Sequence, residues 1–233
     1  MRLPEFFLFN QRTRRVYLEI IGPVLKLLVR MNIHPNTITT AGCVLSFVAG
    51  VFFSTGNFFF GGWTVAAAGT CDILDGQLSR LTGKASRFGA FYDSCLDRAS
   101  DAFIFMGLAW YFAGGPALFW SPNAGHPESY SPVTVMMIIL TMMGSFLTSY
   151  VRARAEADGV VCNVGRMQRT ERFVLLLVAS ALGCIPVAGI GLMKISLVFF
   201  ALVTNVTAIH RIVYVRKVLL KEEVIGEKNK EKT

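Results

Sequence analysis

Charge is scarce in this sequence. Only 16% of its 233 residues are Asp, Glu, Lys or Arg, against a hydrophobic share of 53%. That balance excludes an ordinary soluble domain and points to the bilayer, with length enough for one sizeable domain. Paired cysteines are missing as well. Cys43, Cys71, Cys95, Cys162 and Cys184 form no Cys-x-x-Cys pair, and no His stands near them at metal-ligand spacing. They read as reduced packing residues, which sets aside a disulfide framework. A continuous basic stripe is lacking, although the net charge is +8. The basic residues fall between apolar segments, so they suit anionic lipid headgroups and anionic substrates and exclude nucleic acid as a partner. Met1 to Asn10 has no basic region followed by a long apolar core, so a cleaved signal is not expected. No internal repeat is evident.

What is present is a series of apolar segments. Residues 1–31 interleave Arg12, Arg14, Arg15, Lys26 and Arg30 with Val16, Leu18, Ile20, Ile21, Val24, Leu25, Leu27 and Leu28. This predicts an amphipathic helix in the membrane interface, bent at Gly22-Pro23. Pro35 disfavours helix at His34, and Asn36 or Thr37 is expected to cap the helix that follows. His34 reads as an interfacial residue rather than a ligand. Spans are then predicted near 38–53, 58–79, 86–113, 132–155, 168–184 and 189–215, with the longest loop at 114–131. About 20 apolar residues cross a bilayer, so the expectation is an all-α integral membrane protein of six transmembrane helices preceded by the amphipathic helix. Gly and Ser interruptions suit close helix packing.

Basic residues cluster before the first span and between the second and third (Arg80, Lys84, Arg87). They recur between the fourth and fifth (Arg152, Arg154, Arg166, Arg169, Arg172) and after the sixth (Arg211, Arg216, Lys217, Lys221). On the opposite side, near the sixth span, Lys194 is the one basic residue. The positive-inside rule therefore predicts both termini on the cytoplasmic side of a multi-pass cell-membrane protein. Trp63, Trp110 and Trp120 suit interfacial belts, and the run after Glu222 reads as a frayed, solvated tail.

One stretch breaks the apolar pattern. It reads Asp72-Ile-Leu-Asp75-Gly76-Gln-Leu-Ser79-Arg80, then Gly89, Asp93 and Asp97 at spacings of eight, three and three intervening residues. On helices, Asp72 and Asp75 share one face, as do Gly89, Asp93 and Asp97. Two such helices meeting here would gather four carboxylates in one volume, at a high cost in repulsion and desolvation. One or two hard divalent cations, Mg or Mn, relieve that cost because they take oxygen ligands. Ordinary ion pairing with Arg80, Arg87 and Arg98 is the plainer alternative, but ionisable residues flanked by membrane spans are functional by default.

The spacing resembles the motif of the CDP-alcohol phosphatidyltransferases, Asp-x2-Asp-Gly-x2-Ala-Arg-x8-Gly-x3-Asp-x3-Asp. Ser79 replaces the usual Ala, and every other position matches. Pro35-Asn36-Thr37-Ile38-Thr39 also resembles an element that family members carry upstream. The resemblance implies transfer of a phosphatidyl group from CDP-diacylglycerol, or an ether-lipid analogue, to a small alcohol with release of CMP. It implies two divalent ions on Asp72, Asp75, Asp93 and Asp97, with Asp97 also the general base. It assigns Gly76, Arg80, Ser86, Asn36, Thr37 and Gly89 to the CDP-lipid, Arg80 as a phosphate partner. Asp101 is expected to pair with Arg98 or Arg80. A homodimer is a further family expectation.

The acceptor is read from Ser149-Tyr150-Val-Arg152-Ala-Arg154-Ala-Glu156-Ala-Asp-Gly159 and Arg169-Thr-Glu171-Arg172-Phe. These look like the inositol-phosphate branch, the phosphatidylinositol-phosphate and archaetidylinositol-phosphate synthases. By that resemblance Arg152, Arg172 and Arg211 hold the acceptor phosphate, while Arg154 and Glu156 brace the site. Positive-inside topology alone also calls for arginines at this edge, and glycerol 3-phosphate is an alternative acceptor. In another class, a cation transporter could use the acidic cluster; inverted repeats and broken midplane helices are not evident. The expected organisation is a juxtamembrane segment at 1–31, the catalytic domain at 32–217 and a charged tail at 218–233.

Overall fold

Local chemical cues set several of the helix ends. The computed structural model describes residues 11–115, 130–162, 164, 169–182 and 188–230, with side chains described for 17–115, 130–162, 164, 173–181 and 190–221. Among them the backbone forms helices and no strand: α1 (Gln11–Arg30), α2 (Pro35–Ser54), α3 (Phe58–Thr82), α4 (Arg87–Phe112), α5 (Pro132–Ala157), α6 (Arg169–Leu182) and α7 (Ala188–Lys230). Most of the predicted 114–131 loop lies outside the described residues, as do Trp120, Arg166, Cys184 and the side chains of Arg12, Arg14 and Arg15.

Neither Asn36 nor Thr37 caps α2, as the sequence suggests. His34 does, with extended backbone, and its Nδ1 accepts from the Asn36 N–H at 3.2 Å. Pro35 explains the earlier start: its fixed φ and missing N–H suit the first helical position, so Asn36 and Thr37 fall inside the first turn. Gly83, at φ 65°, ends α3 in the left-handed conformation that an L side chain resists. Ser86 opens α4 by accepting the Gly89 N–H at 2.9 Å.

α1 runs as one helix through Gly22-Pro23, with Pro23 inside it. One expectation at the C-terminal end needs correction. The tail after Glu222 is helical to Lys230, so α7 runs for 43 residues, about 65 Å at the α-helical rise. Glu, Lys and Leu are good helix formers, and no proline interrupts them.

The bundle is organised around three close helix pairs. α2 packs on α3 and α4, and α5 packs on α7; α6 fills the space beside α3 and α7, and α1 lies on α3. Glycine permits the closest crossings. A Cβ on Gly107 would stand 2.0 Å from the Gly50 carbonyl oxygen, fixing α2 against α4 at backbone contact. Gly144 meets Thr204 in the same way, where a Cβ would come within 2.6 Å of the hydroxyl. Such small-residue contacts are how helices associate where lipid removes the hydrophobic drive. Phe53, Phe112, Phe200, Ile104, Leu108 and Ile138 fill the shared core. Phe47, Phe60, Trp63, Val133, Ile139, Leu202 and Val206 point outward instead, the pattern of a protein whose exterior meets lipid.

Among the described residues, three helices are long and apolar enough to cross a membrane by length and composition: Pro35–Ser54, Pro132–Ala157 and Ile190–Lys221. The chain is therefore an all-helical membrane protein. α3 and α4 each carry a pair of the motif carboxylates, and α6 is described over 14 residues, so these three fall outside that set.

Candidate metal and nucleotide site

The α2–α4 crossing brings one end of α2 against the acidic halves of α3 and α4. There Asp72 and Asp75 of α3 and Asp93 of α4 converge. Each offers a carboxylate oxygen, and the three oxygens lie within 4.8 Å of one another. Asp75 is buried, while Asp72 and Asp93 are half-buried. Asp97, one turn farther along α4, lines the same hollow with Asp72 and Asp75 but stands outside the close set of three. The helical spacing that put these acids on facing surfaces is thus realised in the fold.

The ion pairs expected with Arg80, Arg87 and Arg98 are not formed among the described residues. Arg80 and Arg87 form no ion pair among the described residues, and the Arg98 guanidinium donates to the Ser94 carbonyl one turn back. Three carboxylates brought this close repel one another. Their donor atoms are all hard oxygens, the set that divalent Mg or Mn prefers, so the residues present fit such an ion. Asp101 corrects another expectation: it is buried and accepts from Ser145 Oγ at 2.9 Å, rather than pairing with Arg80 or Arg98. Four residues beyond Asp97, it faces α5 instead of the loop arginines.

Thr39 is the residue that the sequence reading missed. Its hydroxyl donates to Asp75 Oδ2 at 2.6 Å, fixing the carboxylate from α2. The signal is in the upstream element, whose fifth position is Thr39. Thr37 is exposed. Asn36 sits at the mouth of the site: its Oδ1 is 3.3 Å from where a Cβ on Gly89 would be, and Ser86 Oγ is 3.1 Å from the same point. A side chain at position 89 would therefore press on both. A Cβ on Gly76 would meet the Arg80 guanidinium at 3.5 Å, so this glycine leaves room beside an exposed cation. Ser79 donates to the Gly76 carbonyl at 3.1 Å, satisfying its hydroxyl inside its own helix and sparing the packing that Ala would give.

The predicted acceptor arginines differ in their engagement. Arg152 is exposed and pairs with Glu156 at 2.9 Å, and Arg154 pairs with Asp158 at 3.1 Å. Arg211 is half-buried and donates Nε to the Val164 carbonyl at 2.7 Å and Nη1 to the Thr148 carbonyl at 2.8 Å. It ties α7 to α5 and to the segment before α6. Ala155, Val160 and Cys162 pack with Tyr214, Val218 and Leu219 in a small second core alongside it. Arg172 lies on α6, but its side chain is outside the described residues.

Comparison with known proteins adds a family. The model of the CDP-alcohol phosphatidyltransferases matches residues 32–219. A phosphatidylinositol phosphate synthase of Mycobacteroides abscessus is 34% identical over 166 residues, 71% of this chain and 70% of the relative. An archaetidylinositol phosphate synthase of Pyrococcus horikoshii is 32% identical over 201 residues, covering 86% and 91%. The crystal structure of a Mycobacterium tuberculosis phosphatidylinositol phosphate synthase with CDP-DAG bound aligns with a TM-score of 0.70 at 27% identity, over 84% of this chain and 94% of that one. A structure of that synthase in complex with manganese and citrate also gives a TM-score of 0.70 at 27% identity, over 83% and 87%.

Proposed function

Because the chain belongs to the CDP-alcohol phosphatidyltransferase family, we propose that it moves a phosphatidyl group from CDP-diacylglycerol to an inositol phosphate and releases CMP. It is a membrane-bound transferase of phospholipid biosynthesis. The observation that carries this reading is the convergence of Asp72, Asp75 and Asp93 at the mouth formed by α2, α3 and α4. The names of the relatives support the acceptor.

In the reaction the acceptor hydroxyl oxygen attacks the phosphorus that carries the diacylglycerol. A new P–O bond forms, the bond to the CMP oxygen breaks, and CMP leaves. A divalent ion held by Asp72, Asp75 and Asp93 would neutralise the pyrophosphate and the charge that develops on CMP. Asp97, in the same hollow but outside that close set, is positioned to take the hydroxyl proton. A second ion would be completed by Asp97. Arg80, exposed beside Gly76, serves as the phosphate partner, and Gly76 and Gly89 leave room for the nucleotide. Asn36 and Ser86 border that space, with Thr37 beside them. Arg152 and Arg172 hold the acceptor phosphate, and Arg211 shapes their surroundings through its two carbonyl contacts.

The topology follows from charge. α2 to α7 supply six spans, α1 lies in the interface, and the arginine-rich ends with the acidic site face the cytoplasm. The protein acts as a homodimer, as the family resemblance implies. The test is CMP release by purified protein with CDP-diacylglycerol and Mn or Mg, using inositol 1-phosphate, inositol, glycerol 3-phosphate and serine in turn. Release confined to inositol 1-phosphate supports the full reading. Preference for glycerol 3-phosphate keeps the chemistry and overturns the acceptor; no release with any acceptor overturns the transferase itself.

A further inference from the structure

Two short turns at the same end of the bundle are built alike. At 31–34, α1 ends and α2 begins; at 83–86, α3 ends and α4 begins. Each turn leaves its helix through a left-handed residue, Asn32 at φ 53° and Gly83 at φ 65°. Asn32 is the non-glycine residue with positive φ among those described, and its conformation is that of a helix C-cap: its N–H donates to Val29 O at 3.0 Å, and the Ile33 N–H donates to Leu28 O at 3.2 Å. Asparagine tolerates this backbone, and glycine tolerates it better.

Lys84 joins the two turns. Its Nζ donates to Asn32 Oδ1 at 2.6 Å and approaches Asn32 O at 3.4 Å. It forms no ion pair among the described residues, so the carboxamide and carbonyl of Asn32 are its anchors. Downstream of the two turns stand the N-termini of α2 and α4, which meet where Asn36 and Ser86 crowd the Cβ position of Gly89. These are the residues that border the nucleotide end of the site, and Asp93 follows one turn later. Any change in the spacing of the turns is passed directly to that mouth, because each link between cap and helix is only a few residues long.

We infer that Lys84 is a positioning residue for the nucleotide end of the donor: it clamps the α1–α2 turn to the α3–α4 turn and so sets the separation of the two helix N-termini that receive the cytidine diphosphate. This rests on the transferase reading above. Sites of this kind need their elements held to a fraction of an ångström, and a charge-assisted hydrogen bond between two exposed turns supplies such a hold.

The test uses the full-length protein in detergent or vesicles with CDP-diacylglycerol, inositol 1-phosphate and Mn, alongside calorimetric binding of CMP in the presence of Mn. Lys84→Ala is expected to raise KM for the CDP-lipid and weaken CMP binding about five- to tenfold, with kcat within about twofold, the size expected for one charge-assisted contact. Lys84→Arg, which can still donate to Asn32, should restore most of the affinity. Asn32→Gly keeps the left-handed backbone and deletes only the carboxamide; it should reproduce the Lys84→Ala defect. The double variant should be no worse than either single one. If Asn32→Gly binds CMP normally while Lys84→Ala does not, Lys84 touches the anion directly and the clamp is overturned. Unchanged constants in both variants also overturn it, as does a fall in kcat that tracks a lower melting temperature. A wild-type protein that binds and turns over nothing overturns the transferase reading instead, a result separable from all of these.

Discussion

Thr39 Oγ1 donates a 2.6 Å hydrogen bond to Asp75 Oδ2, joining α2 to the buried member of the carboxylate trio. The same hydroxyl lies 3.2 Å from the Pro35 carbonyl, and its single hydrogen serves the shorter contact better. A carboxylate that ligates a metal is oriented by such outer contacts, and their loss typically weakens the metal 10- to 100-fold. Thr39→Val keeps the volume and deletes the donor. It is expected to raise the Mn concentration for half-maximal CMP release about tenfold, with little change at saturating Mn. Thr39→Ser should stay within about twofold. A Mn titration of CMP release checks both, and an unchanged half-saturation in the valine variant detaches Thr39 from the metal site.

Asp97 stands in the hollow but outside the close trio, which separates its roles. As general base it contributes mainly to turnover. Asp97→Asn is expected to lower kcat by about 10²- to 10⁴-fold while KM for the CDP-lipid stays within a few-fold. Steady-state kinetics in both substrates decide this. Near-normal kcat removes the proton from Asp97.

Chelation should act on the trio as a unit. With EDTA present, CMP release is expected to fall to background, and added Mg or Mn should restore it. Ca, which binds oxygen donors in a looser and larger shell, should restore less. Activity that survives exhaustive chelation would leave the convergence of Asp72, Asp75 and Asp93 without its function.

The helix crossings make a prediction about stability. A Cβ at residue 107 would come within 2.0 Å of the Gly50 carbonyl oxygen, which is backbone and cannot swing aside. Gly107→Ala must therefore push α2 away from α4, at about 1–3 kcal/mol for overpacking. Its melting temperature should drop by about several degrees, with loss of activity, because α2 carries Thr39, which holds Asp75 of α3, while α4 carries Asp93 of the same trio. Gly191→Ala on α7 meets nothing within 4 Å and should be neutral or slightly stabilising. Equal melting of the two variants would remove the α2–α4 contact from the account.

Helix positions and the acidic trio were legible because each depends on short-range pattern. Apolar runs bounded by Gly, Pro and Ser marked α2 to α6 within a few residues, and the i, i+3 and i+4 spacing of the aspartates placed them on facing surfaces. Two things were not legible. The capping by His34 required knowing that Pro35 would take the first helical position rather than precede the helix. The partners of Thr39, Asp101 and Arg211 lie 36, 44 and at least 47 residues away in the chain. Such pairings are set by how α2, α5 and α7 cross, which no local spacing encodes. Asp101 reads as one more loop-facing acid in the sequence, yet its turn of α4 faces Ser145 on α5.

The two described acceptor arginines should part company under mutation. Arg152 is exposed, and its pair with Glu156, on the same helix, is worth at most about 1 kcal/mol. Arg152→Ala should leave the melting temperature within about one degree of wild type while raising KM for inositol 1-phosphate severalfold. Arg211 instead spends Nε and Nη1 on the Val164 and Thr148 carbonyls, contacts that join three parts of the chain. Removing a guanidinium from half-buried carbonyls leaves them short of donors, at about 1–3 kcal/mol. Arg211→Ala should therefore lower the melting temperature by about several degrees and weaken the acceptor as well, whereas Arg211→Lys, with a single point donor, should recover only part of either. Thermal melts read beside acceptor KM distinguish the cases. If Arg211→Ala melts like wild type and only the acceptor KM rises, Arg211 contacts the acceptor phosphate directly and its carbonyl contacts are dispensable. If the KM is unchanged and only the melt shifts, Arg211 is a tie between helices and the acceptor is held by Arg152 and Arg172.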